Sequence, residues 1–157
     1  MPSSSSRFAV AVHVLALLAR AGDAPVKSGS VAVSVNTNPV VIRRILCALG
    51  RARLVTSQPG AAGGSRLARP AERITLGDIY RAVEGGDTFL LPRRRPDRRC
   101  VVGANIEEVL GGVLRETNAA VERALARTTL ADIVGRIRPC APAGRGKRAT
   151  GAPAKGR

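Results

Sequence analysis

Apolar residues recur along this chain with two different periods, and the change of period marks out its elements. From 5 to 21 the chain is apolar nearly all round, with Phe8, Val12, Leu15 and Ala19 on one stripe and Val10, Val14 and Leu17 on another. That pattern predicts a first helix covered on more than one side. After the turn Gly22-Asp23-Ala24-Pro25, residues 28–35 (SGSVAVSV) are predicted as a short second helix, although glycine and β-branched valine favour that state only weakly. Asn38 then stands as an N-cap before Pro39 at the first helical position, where the missing N–H does no harm. The third helix runs to about Gly50, and Ile42, Ile45, Leu46 and Leu49 follow i, i+3, i+4, i+7 as its packed face. At about 100° per residue, Val40, Arg44, Cys47 and Arg51 lie on the opposite side, with Arg43 beside them.

Past the third helix the period shortens. LVTSQ (54–58) and SRLAR (65–69) are predicted strands, joined by the glycine-rich loop PGAAGG. Thr75 caps a fourth helix with Leu76, Ile79, Tyr80 and Val83 on one face. A basic loop with two prolines leads to a long helix from about Asn105 to Arg127, whose stripe includes Ile106, Val109, Leu110, Val113, Leu114, Thr117, Val121, Ala124 and Leu125. At 1.5 Å per residue that stripe is roughly 30 Å long, more than the small N-terminal domain can cover, so a second copy of the chain is expected over the rest. Gly111-Gly112 interrupts it and allows two helices to approach closely. Thr129 caps a last short helix.

The expected fold class is mainly α with a small two-stranded β wing, a winged helix-turn-helix domain followed by a long C-terminal dimerisation helix. Its parts are the DNA-binding domain at 1–85, the basic loop at 86–104, the dimerisation helix and short final helix at 105–135, and a disordered basic tail at 136–157. In such a fold the third helix enters the major groove and the wing touches backbone or minor groove. Arg43 and Arg44 are suited to guanine O6 and N7, while Thr37, Asn38 and the amides at the helix N-terminus suit phosphate.

Charge strengthens this picture. The 157 residues carry a formal charge of +15. Residues 1–70 hold nine Lys/Arg against Asp23 alone, residues 71–135 hold ten of each sign, and residues 136–157 hold seven basic groups and no acid. Positive charge on the reading half and the tail points to a polyanion that releases counterions on binding, with the tail as a non-specific DNA-affinity arm. A membrane surface is not the expected partner, because no basic amphipathic helix with large apolar anchors is present. Aromatics make up 2% of the residues, so the core is aliphatic and alanine-rich. An enzyme is not expected either: PGAAGG and RGKRAT both lack the Gly-Lys-Ser/Thr of a phosphate-binding loop, and no HExxH or Ser/His/Asp set is visible.

Three cysteines, Cys47, Cys100 and Cys140, are odd in number and far apart, as expected in a reducing, cytoplasmic setting. The run FAVAVHVLALLA resembles a signal peptide but is too short to span a bilayer, and it serves as the first buried helix. Arginines flank both Cys47 and Cys100 in sequence, which favours thiolate and makes these two the possible sensor thiols. His13 is read as a core or interface residue and not a ligand, since no second histidine exists.

Asn36 to Leu46, the wing GAAGGSRLARP (60–70), ITLGDIYRAVEG (74–85), and Cys100 with Val102-Gly103 resemble, in that order, the Rrf-two family of bacterial winged-helix regulators, which includes the iron–sulfur cluster regulator IscR. The likeness runs from residue 6 to about 134. It implies a homodimer, acting on double-stranded DNA, whose long helix crosses to the partner subunit. By motif, the base-reading positions fall on Asn38, Val40, Arg43 and Arg44, with Arg51 further along the helix; the wing falls on Gly60, Gly63, Gly64, Ser65 and Arg66. Two departures stand out. Many relatives have an arginine just before the wing glycines, where this chain has Gln58-Pro59. Cluster-binding members carry three cysteines before the long helix, whereas residues 86–105 hold only Cys100, and two thiolates per dimer fall short of the four ligands common clusters need. The expected function is therefore that of a sequence-specific transcriptional repressor with no cofactor, responding to a redox or small-molecule signal. The alternative is a winged-helix adaptor acting through protein partners.

Overall fold

The computed structural model describes residues 4–85, 88–92 and 94–138. Within them the chain forms helices α1 (Ser4–Ala21), α2 (Ser28–Val35) and α3 (Pro39–Arg51), strands β1 (Val55–Gln58) and β2 (Gly64–Leu67), a 3-10 turn at Ala71–Arg73, and helices α4 (Leu76–Glu84), α5 (Val101–Ala126) and α6 (Leu130–Arg136). This is a mainly helical, winged helix-turn-helix architecture. Residues 139–157, which include Cys140 and most of the expected basic tail, lie outside the described residues.

α1 runs through the middle of the head and touches α2, α3, α4, α6 and β2. Its near-continuous apolar surface is thereby used up: Ala11, Val14, Leu15 and Leu18 are fully buried. Each large aliphatic side chain so buried contributes on the order of 1.5–3 kcal/mol. His13 departs from the core reading. It is exposed, and its Nε2 lies 3.2 Å from Ser34 Oγ on α2.

α2 forms despite its poor propensity because Val31 and Ala32 are buried, and a short helix is stabilised mainly by its packing. It ends at Asn36, which adopts the left-handed conformation at φ 55°. Polar residues such as asparagine tolerate that conformation better than most. β1 and β2 pair antiparallel with Val55 opposite Leu67 and Gln58 opposite Gly64. A third extended segment joins them: Val26 and Ser65 exchange two 2.9 Å backbone hydrogen bonds.

The C-terminal half begins four residues earlier than the sequence predicts, with Cys100 as N-cap and Val101 already helical. α5 has little cover of its own, since Gly111 and Asn118 are its buried residues among those described. Its end is fastened to the head through α4. Gly77 packs so closely on Ala126 that an added Cβ would sit 3.4 Å from that residue's backbone. Leu76 N–H donates to Thr128 at 2.9 Å and Leu130 N–H to Ile74 at 2.8 Å, so the two threonines that cap α4 and α6 face each other across a bridge. Both caps are reciprocal, Thr75 with Asp78 and Thr129 with Asp132.

Candidate nucleic-acid interface

α3 is divided lengthwise by its own sequence. Ile42, Ile45, Leu46 and Leu49 are buried against the head, which leaves Val40, Arg43, Arg44, Cys47 and Arg51 exposed. Its N-terminus is held by Asn38, whose Oδ1 accepts the Val40 N–H at 2.8 Å. Capping occupies the Asn38 carbonyl and leaves its amide Nδ2 for other contacts. Thr37 N–H is taken by Ala32 at 3.0 Å, so the turn between α2 and α3 is fixed. No acid sits in the first turn of α3.

The electrostatics of this face are one-sided. Among the described residues, no ion pair involves Arg43, Arg44, Arg51, Arg53 or Arg66. Arg69 and Arg81, on the far side of the wing, instead converge on Asp78 at 3.9 and 2.8 Å, and Arg81 also reaches Glu122 at 3.8 Å. The structure neutralises arginines at the joint with α5 and leaves them uncompensated beside α3.

The wing sorts its expected residues into two kinds. Arg66, opposite Thr56, is exposed, and so is Gly60 at the loop tip, with φ at +105°. Ser65 is not: it is 4% exposed, its Oγ lies 2.9 Å from Ser57 Oγ, and its backbone is bonded to Val26. Gly63 and Gly64 are also framework, because a Cβ there would come within 2.1 Å of the Gln58 carbonyl and 2.8 Å of the Val26 carbonyl respectively. These three residues build the wing and do not face outward from it. A cleft of about 440 Å³ separates α3 from the wing and is lined by Arg43, Leu46, Cys47, Gly50 and Gln58 among others. A second hollow of about 630 Å³ lies on the other flank of α3, between Arg7 and Val10 of α1 and Val41 and Arg44. Sequence reasoning did not single out Arg7, which shares this second hollow with Arg44. Arg53 is exposed, at φ +55°, where α3 hands over to β1.

Both expected sensor thiols among the described residues are exposed. Cys47 lies on the α3 face itself, where Arg51 Nη2 donates to its Sγ at 3.4 Å. Cys100 is held below the ordinary thiol range by the amides of Gly103 and Val102 at the start of α5, although neither meets the geometry of a capping hydrogen bond. Among the described residues it is these helix amides that favour its thiolate.

The model of a family described as Rrf2, iron-dependent transcriptional regulator, matches residues 4–136. The chain belongs to the Rrf2 family. Among curated relatives, this Rrf2 chain is 36% identical over 133 residues to YwnA of Bacillus subtilis (strain 168), a candidate HTH-type transcriptional regulator, covering 85% of this chain and 98% of YwnA. It is 30% identical over 140 residues to the HTH-type transcriptional regulator IscR of Cereibacter sphaeroides, covering 88% of this chain and 90% of that protein. Among solved structures, CymR, the global cysteine regulator of B. subtilis, superposes with a TM-score of 0.63 at 25% identity, covering 85% of this chain and 96% of CymR. The Rrf2 chain is thus a DNA-binding transcription regulator by family, and its relatives are regulators and not enzymes. The family's description names iron; within residues 86–105 of this chain Cys100 is the one cysteine, and no group of three His, Cys, Asp or Glu side chains among the described residues is placed to hold a metal ion. No helix among those residues is long and apolar enough to cross a membrane.

Proposed function

We propose that this protein is a homodimeric, cytoplasmic repressor that reads operator DNA with α3 and its wing, works without an iron–sulfur cluster, and answers a redox or small-molecule signal. The observation that carries the reading is a set of exposed guanidinium groups that have no acidic partner among the described residues: Arg43, Arg44 and Arg51 on α3 and Arg66 on the wing. Arg44 and Arg43 reach guanine edges in the major groove, where a guanidinium forms two parallel hydrogen bonds. Thr37, the Asn38 amide and the first N–H groups of α3 hold phosphate, and Arg51, Arg66 and the backbone at Gly60 add contacts along the strand.

The dimer rests on α5. Val101, Val102, Val109 and Val113 are 81%, 66%, 67% and 56% exposed, with Ile106 and Leu110 beside them. Apolar patches of this extent mark interfaces. Two heads joined there present two α3 helices to two half-sites. Occupation of a promoter by such a dimer excludes polymerase, which is the basis for repression. Cys47, on the reading face, and Cys100, at the foot of the dimer helix, are the two places where oxidation reports to DNA affinity.

Selection of duplexes from a random pool by the full-length protein tests this directly. A shared sequence should emerge, and its binding should weaken steeply with salt, by about 0.9 of a log unit per log unit of salt for each phosphate neutralised. Selection of no duplex, or salt-independent binding, would instead favour an adaptor that uses the winged helix for protein contacts.

A further inference from the structure

Near the N-terminal end of α3, one step ahead of the arginines, stands a side chain that can make no hydrogen bond at all. Val40 is 46% exposed although it is aliphatic, in a helix whose other large apolar residues facing the head are at most 7% exposed. At about 100° per residue it lies within about 40° of Arg44 on the helix wheel and opposite the buried Ile42 stripe. Val41, 40% exposed, turns aside toward the hollow it shares with Arg7 and Val10. Val40 thus belongs to the row Val40, Arg44, Cys47, Arg51.

We propose that Val40 reads the C5-methyl group of a thymine, and that this contact, together with Arg44 on a guanine, fixes the operator's base preference at the N-terminal end of α3. The inference rests on the DNA-reading function above and names the chemistry of one of its positions. Two physical effects act in the same direction. Packing valine methyls against the thymine methyl removes apolar surface from water, and T is the base that shows an apolar group in the major groove. Seating the same valine on the amino or carbonyl edge of a G·C pair strips groove water from groups it cannot replace. Four residues along a helix advance about 6 Å, so for a helix lying along the groove the thymine falls about two base pairs from the guanine bound by Arg44.

The test uses full-length protein and the duplex that it selects from a random pool, with each thymine exchanged in turn for deoxyuridine, which lacks only the methyl. One such exchange should weaken wild-type binding about fourfold, the equilibrium equivalent of one buried CH₂-sized group at ~0.8 kcal/mol. Val40→Ala should bind the thymine duplex more weakly by a similar factor and be indifferent to that same exchange, while Val41→Ala should keep the full penalty. Circular dichroism of Val40→Ala should match wild type, since alanine is the better helix former and the site is exposed. If the protein selects a duplex but no uracil exchange matters, or the penalty survives undiminished in Val40→Ala, the thymine reading is wrong and DNA recognition stands. If no duplex is selected, both fall together.

Discussion

Removing the Asp78 carboxylate should loosen the joint between the DNA-reading head and the long helix, and the structure sets the size and the pH dependence of the effect. Asp78 Oδ2 accepts the Thr75 N–H at 3.1 Å while Thr75 Oγ1 accepts the Asp78 N–H at 3.1 Å, closing the cap of α4. The same carboxylate pairs with Arg81 at 2.8 Å and Arg69 at 3.9 Å. Asp78→Ala forfeits half of the reciprocal cap, about 1 kcal/mol. The two ion pairs are partly exposed and screened, so together they add about 1 kcal/mol at most. The sum, about 1–2 kcal/mol, should lower Tm by several degrees for a chain of this size. Burial of Asp78 works against its ionisation, but the hydrogen bonds from Thr75 and Arg81 and the charge of Arg69 outweigh it and hold the carboxyl below 3.8. A depressed carboxyl contributes stability that is fully present above its unfolded pKa and lost as pH falls through the folded value. Urea unfolding followed by circular dichroism should show the whole gap between wild type and Asp78→Ala at pH 7 and a narrowing gap as the pH is taken below 3.8. A gap absent at pH 7, or widening in acid, would refute this account of the joint.

Other consequences follow from particular contacts. Gly64→Ala drives a Cβ into the Val26 carbonyl and should unseat the wing, weakening duplex binding while α-helix content stays unchanged by circular dichroism. Val109→Glu places charge in the exposed aliphatic face of α5; wild type should sediment as a dimer and the variant as a folded monomer, and a variant that still dimerises would place the interface elsewhere. Alkylation of Cys100 by iodoacetamide should show a midpoint below 9.0, and because Gly103 and Val102 amides cause the shift, added salt should move it little. Deleting residues 136–157 removes seven basic groups and should weaken binding to all duplexes alike and flatten the salt dependence.

What the sequence revealed was whatever is decided locally. Asn38-Pro39 announces a cap and first turn within two residues, and the i, i+3, i+4, i+7 series of Ile42, Ile45, Leu46 and Leu49 needs nothing beyond its own helix to define inside and outside. The exposed row of α3 follows from that series by geometry. The inward position of Ser65 is not legible locally, because its neighbour is Val26, almost forty positions away, and a two-stranded pattern does not disclose a third segment pairing from outside it. The start of α5 was placed late because Val101, Val102 and Gly103 are weak helix formers; yet a Cβ at Gly103 would meet the Asp97 carbonyl at 2.3 Å, so the close turn needs glycine there. Asn118 gave no signal at all. It sits on the exposed-looking side of a long amphipathic helix, but both ends of its amide grip the Phe89 backbone, at 3.1 and 3.0 Å, strapping the segment ahead of α5 onto it.

The central claim is that the exposed arginines of α3 discriminate sequence, and one titration addresses it most directly: wild type and Arg44→Ala against the selected duplex and a scrambled duplex at one fixed, near-physiological salt concentration. Wild type should prefer the selected duplex by at least about 10³-fold. Arg44→Ala should lose about 1–3 kcal/mol on the selected duplex, and far less on the scrambled one, where only phosphate is in reach. Equal losses on both duplexes, or none on either, would contradict the assignment of Arg44 as a base-reading residue.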